Sequence, residues 1–173
     1  MTHLLSLRSV SKVFTLGSRE VRAVENVSLD VEEGECLAIV GESGSGKSQT
    51  TMAMMGLLAA NGRARGSAKY RGQELIGLPE RKLNDIRGEK ITMIFQEPMT
   101  SLDPLYRIGR QIAEPLVHHR GMSAKAARAR AIELLELVGI PNPSRRIDAY
   151  PHELSGGQRQ RVMIAMALAN EPD

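Results

Sequence analysis

Polar and apolar residues alternate along LLSLRSV at 4–10 and VRAVENVSLDV at 21–31. A period of two turns one side of an extended chain toward a core and the other toward water, so both stretches predict strands, with EEG at 32–34 as a turn. ECLAIV at 35–40 is apolar without alternation and bounded by Gly34 and Gly41, the pattern of a strand covered on both faces in a parallel sheet. KITMIF at 90–95 reads the same way, and KYRGQEL at 69–75 reads as a short strand and turn. Then the period lengthens. From about Ile108 to Val138 apolar residues recur at helical spacing, interrupted by RGMS at 120–123, where Ser123 can cap a second helix. Pro141, Pro143 and Pro151 keep the following segment out of long regular structure, and a last helical stretch opens at LSGG, 154–157.

Composition narrows the class. Hydrophobic residues make up 42% of the 173 and charged residues 25%, the usage of one soluble globular domain. The longest apolar run, MAMMGLLAA at 52–60, is about half of what a spanning helix needs. The N-terminus lacks the basic and apolar regions of a secretory signal, so a cytosolic address is expected. One cysteine, Cys36, excludes an internal disulfide, and its place in CLAIV predicts inert packing in a buried strand. His3, His118, His119 and His152 lack the spacing of a zinc site. The net charge of +3 and pI near 9.2 permit a nucleic-acid partner. However, the arginines of KAARARAIELLELVGI are interleaved with alanine and glutamate as on a solvated helix face, and aromatic residues are only 3%, so none is expected.

Candidate chemistry starts at GESGSGKS, 41–48, which satisfies G-x-x-x-x-G-K-[ST] through Gly41, Gly46, Lys47 and Ser48. It lies between a predicted buried strand and a predicted helix, as its mechanism requires. Glycines let the loop close around phosphate oxygens, and its N–H groups and the helix end supply positive potential. Lys47 would reach the β and γ phosphates of ATP, Ser48 would coordinate Mg2+, and Ser43, Gly44, Ser45 and Gln49 complete the cradle. Gln96, directly after ITMIF, is a second candidate: by itself a satisfied loop amide, but behind a phosphate loop a ligand for magnesium and the attacking water. Phe14 is either a core aromatic or a platform for adenine.

LSGGQRQR at 154–161 matches the signature of ATP-binding-cassette (ABC) proteins, and with the phosphate loop and Gln96 in this order the whole chain resembles an ABC ATPase. MIFQEPMTSLDPLYRIGRQIAEPL and YPHELSGGQRQRVMIAMALANEP are similar to the ATP-binding subunits of oligopeptide, dipeptide and nickel importers. The resemblance implies an α/β fold, a P-loop NTPase core of ABC type with an N-terminal antiparallel β subdomain (about 1–34 and 65–75). The nucleotide-binding core would take about 35–60 and 90–97, a helical subdomain about 98–156, and the signature helix 157–169. It implies that two such domains sandwich ATP head to tail, so that Ser155, Gly156, Gly157 and Gln158 face a γ-phosphate held on a partner's loop. The expected partners are a second ABC ATPase domain, transmembrane permease subunits docked on the helical insert and, indirectly, an extracytoplasmic solute-binding protein. The expected location is the cytoplasmic face of the cell membrane, peripheral.

Members of the family follow the signature helix with an apolar strand ending in Asp-Glu, the Walker B strand, and later a sensing histidine. NEPD at 170–173 stands where that strand should begin, and Asp30, Asp85 and Asp103 read as turn or surface residues. The expectation is an N-terminal part of the domain that does not itself hydrolyse ATP, drawn from an importer for peptides or related solutes. Two alternatives are an ABC-type ATPase of DNA repair or chromosome organisation, which the lack of heptads and cysteine pairs disfavours, and a nucleotide-binding regulator without hydrolysis.

Overall fold

In the computed structural model the described residues are 3–95 and 101–173. They divide into two units, 1–83 and 84–173.

The first unit is built on an antiparallel sheet with strand order β2-β1-β3-β4. Strands β1 (Leu5–Leu16) and β2 (Arg19–Val31) form a hairpin, and β3 (Gly62–Tyr70) pairs with the other edge of β1 before turning into the two-residue β4 (Gln73–Glu74). The hairpin turn has φ 61° at Gly17, its first central residue, a conformation that favours glycine. A bulge at Ser9 shifts the register of β1 against both neighbours. Opposite it Gly66 has φ 97°, and a Cβ there would lie 2.4 Å from the Ser9 carbonyl oxygen, so only glycine lets the strands close over the bulge. Leu7, Val10 and Val24 of the two alternating stretches are buried, as are Ala68 and Tyr70 of β3. Helix α1 (Lys47–Met54) packs on this sheet with Thr50, Ala53 and Met54 buried. A short helix, α2 (Glu80–Asn84), ends the unit.

The second unit is helical. Helix α3 (Ile108–Arg120) ends at Gly121 in the left-handed region, and α4 (Ala124–Leu137) is capped by Ser123, whose hydroxyl accepts from the Ala126 N–H at 3.3 Å, as the sequence predicts. The one-turn α5 (Pro143–Arg146) and a 3-10 turn (Pro151–Glu153) occupy the proline-rich stretch, followed by α6 (Gly156–Ala167). Ile108, Ile112 and Leu116 of α3, Ala127, Ala131, Leu134 and Leu135 of α4, and Val162, Met163 and Ala165 of α6 make one core. The start of α3 is fastened to the segment before the 3-10 turn: the Ile108 N–H donates to the Ala149 carbonyl at 3.0 Å and the Gly109 N–H to that of Ile147 at 2.9 Å. A Cβ on Gly109 would lie 2.3 Å from Ile147 Cγ1, so this junction admits no side chain.

Three expectations fail. Residues 35–40 and 90–95 are not buried strands; among the described residues neither stretch belongs to the sheet, and the second contributes only an isolated bridge between Arg87 and Ile91. Leu37, Ile39, Ile94 and Phe95 are exposed, Val40 is 92% exposed, and Cys36, expected to be packed, is exposed too. An apolar run becomes a parallel strand only when neighbours supply a hydrogen-bond ladder and cover both faces.

Candidate nucleotide-binding site

The loop 41–46 leads into α1 through Gly44 at φ 83° and Gly46 at φ 91°. Gly46 caps the helix in the left-handed region and lies against β2: a Cβ on it would be 2.6 Å from the Ala23 carbonyl oxygen. Glycine is therefore required twice over, by backbone conformation and by contact. The first N–H groups of α1 have no helical carbonyl to donate to, and no acidic side chain in the first turn offsets their positive potential. The Lys47 ammonium folds back on its own loop, 2.7 Å from the carbonyl oxygens of both Gly41 and Glu42 and 3.4 Å from Ser45 Oγ. Ser43, Gly44, Ser45 and Ser48 are exposed along the loop and first turn, and the buried Oε1 of Gln49 has no hydrogen-bond partner among the described residues. These groups suit a polyphosphate: free N–H donors, a cation on a flexible stem and an exposed hydroxyl fit for a magnesium shell. Gln96, the other predicted magnesium ligand, lies outside the described residues.

Phe14 is half-buried in β1 opposite Gly62, whose missing side chain leaves its place to the ring: a Cβ there would be 3.4 Å from Phe14 Cε1. Two residues earlier stands Lys12, which the sequence patterns did not single out. It is 1% exposed, and its ammonium lies 5.2 Å from the centre of the Phe14 ring. The signal was available in the alternation, which puts Lys12 and Phe14 on one face of β1.

The signature forms the second helix end. Ser155 caps α6 in a reciprocal box: its Oγ accepts from the Gln158 N–H at 3.3 Å, and Gln158 Oε1 accepts from the Ser155 N–H at 3.0 Å. Arg159 Nε donates to the Pro151 carbonyl at 2.7 Å and Arg161 to that of Gly139 at 2.8 Å, which fixes the helix in its unit. Gly156 and Gly157 are exposed, have no positive φ, and an added Cβ would meet nothing within 4 Å. Upstream, Asp148 is gripped by both nitrogens of Arg128, at 2.9 and 2.7 Å, and approached by Arg107 at 3.4 Å. The Arg128 guanidinium, with Arg107 beside it, holds the Asp148 carboxyl below the usual carboxylate range. Among the carboxylates read as surface or turn residues, Asp30 pairs with Arg8 at 2.8 Å and Asp103 accepts from the Leu105 N–H at 2.8 Å. No group of three His, Cys, Asp or Glu side chains among the described residues could hold a metal ion.

Phosphate loop, signature helix and α/β architecture define an ATP-binding-cassette domain, a P-loop NTPase core of ABC type. The chain belongs to the ABC transporter family, whose sequence profile matches residues 24–173. It is 51% identical over 98% of its length to the oligopeptide transport ATP-binding protein OppD of Salmonella typhimurium. It is likewise 51% identical over 98% to the dipeptide transport ATP-binding protein DppD of Lactococcus lactis. It spans 50% and 49% of these two relatives. The dimeric cassette MJ0796 superposes with a TM-score of 0.85 at 35% identity, over 97% of this chain and 70% of that one; one of its structures is a post-hydrolysis state bound to ADP and Pi.

Proposed function

We propose that the chain supplies the phosphate-binding and signature halves of an ATP-binding subunit that powers an importer of peptides or related small solutes. The observation that carries the reading is the pair of glycine-headed helix ends, of which the first holds a lysine ammonium on its own loop carbonyls, in the place a polyphosphate would take. Lys47, the loop N–H groups and Gln49 would hold ATP, Ser48 and Gln96 would share the magnesium ion, and Phe14 would carry the adenine. Bound ATP supplies the phosphoanhydride whose hydrolysis drives transport. The chain's own part is to grip the phosphates, order the metal through Ser48 and present the open N-terminus of α6 to a nucleotide on a second cassette. One helix end contributes only about 0.3–2 kcal/mol to such a contact, so closure would need both sites of a dimer acting together. Similarity to OppD and DppD supports peptides as the cargo class, permease subunits as membrane partners and the cytoplasmic membrane face as the location. Among the described residues no helix is long and apolar enough to cross a membrane.

The test is calorimetry on the full-length protein. Lys47→Ala should weaken magnesium-ATP binding at least tenfold, since a charge-assisted contact is worth about 1.5–3 kcal/mol. Unchanged affinity would overturn the assignment. Gln96→Ala should leave ATP affinity intact and lower turnover, because its expected contacts are to the metal and the water.

A further inference from the structure

Lys12 is an anomaly in the sheet. A lysine so fully buried is ordinarily paired with a carboxylate or bonded to carbonyls. Among the described residues its ammonium has neither, and it lies over the face of the Phe14 ring. Burial alone pulls its pKa below the ordinary lysine value, the mark of a charge that nothing nearby compensates.

Where that charge points follows from register. Lys12 stands directly opposite Val24 on β2 and Ala64 on β3, so its side chain shares their face of the sheet. Val24 is buried on that face, and its Cγ2 would lie 3.5 Å from a Cβ on Gly46, the residue that caps α1. The face that carries Phe14 at one position and Lys12 two residues away is therefore also the face on which the phosphate-binding helix end rests. Lys12, a buried lysine side chain with no ion pair or hydrogen bond among the described residues, therefore lies on the face of the sheet shared by the aromatic platform and, through Val24, the cap of α1.

We propose that Lys12 is a second cationic residue of the nucleotide site, one that binds the phosphate nearest the nucleoside and that distinguishes a nucleotide from a nucleoside. The inference rests on the nucleotide reading of Phe14 and the 41–48 loop. An incoming phosphate would give the ammonium the partner that the fold withholds, and the cation–π contact would hold it beside the base meanwhile. Lys47 would serve the distal phosphates and Lys12 the proximal one.

The experiment is calorimetric titration of the full-length protein with magnesium-ATP and ADP. Lys12→Met keeps the length and apolar stem of the side chain and removes only the charge. It should weaken ATP and ADP by the same factor, tenfold or more, with the melting temperature of the nucleotide-free protein unchanged, and Lys12→Arg should recover most of the loss. A Lys12→Met affinity within twofold of wild type, or a loss that arginine does not restore, overturns the proposal. Should Lys12→Met fail to fold, the wild-type protein decides: the 13Cε resonance of Lys12 should shift with ADP and stay in place with adenosine. No shift with ADP, or equal shifts with both, overturns it. Failure of Lys47→Ala to weaken ATP would instead remove the nucleotide reading beneath the proposal, while a Lys47 effect without a Lys12 effect removes this inference alone.

Discussion

The two glycine-headed helices look alike in sequence and differ in what their glycines do. At α1, Gly46 is demanded by its own fold, through a φ of 91° and the Ala23 carbonyl pressed against it. At α6, Gly156 and Gly157 have no positive φ and face empty space, while a full capping box stabilises the helix beside them. One set of glycines shapes the chain's own loop; the other keeps a surface bare. On the proposed function, a surface kept bare at no benefit to its own unit is left for a nucleotide on a second cassette.

Substitutions can break this contrast, ranked by their effect on stability. Gly46→Ala should be worst, destabilising the protein by about 2–4 kcal/mol in urea unfolding, since it forces a Cβ into a positive-φ site already in contact with backbone. A loss under about 1 kcal/mol would mean that the loop can relax and that the two helix ends are more alike than described. Ser155→Ala removes the cap of α6 and should cost about 1 kcal/mol in the same measurement. Gly157→Ala should leave stability unchanged or raise it by less than about 1 kcal/mol, because alanine favours the helix. Its ATP turnover in the full-length protein should nevertheless fall at least tenfold. Normal turnover would show that the bare surface serves nothing.

A further small effect is expected at Asp148, and it asks whether charge or backbone holds the segment ahead of the signature. The folded-state pKa of Asp148 is depressed, so its contribution is present above the unfolded value and disappears as pH falls through the folded one. Asp148→Asn should therefore cost stability near neutral pH and nothing in acid. The pair with Arg128 is nearly half exposed, at 44% and 47%, so the neutral-pH difference should stay below about 1 kcal/mol. A larger loss would make the ion pair, rather than the Ile108 and Gly109 hydrogen bonds, the main fastening.

The sequence made some of this legible because the causes are local. Alternation in 4–10 and 21–31 marks the hairpin, Ser123 announces its helix, and GESGSGKS carries its own geometry. The failures at 35–40 and 90–95 share one cause: a continuous apolar run states that it should be covered but not by what, and a strand exists only through its neighbours. Cys36 was misplaced with its run. The tight joint of Gly109 on Ile147 was not readable, because it depends on two segments far apart in sequence. Lys12 was readable in principle, since the period of β1 turns it inward, yet a lysine in an alternating strand reads first as the polar side.

The bulge in β1 has a further consequence for how the sheet breathes. Irregular strand positions normally free an amide to exchange with solvent. Here the Ser9 N–H donates to Ser28 Oγ at 2.9 Å, and the Asn26 N–H, at a second positive-φ position, donates to Ser11 Oγ at 2.9 Å. Each strand lends a hydroxyl to the amide its neighbour cannot place. In deuterated water the Ser9 and Asn26 amides should therefore exchange as slowly as the ladder around them, and Ser28→Ala should open Ser9 while leaving Asn26 protected.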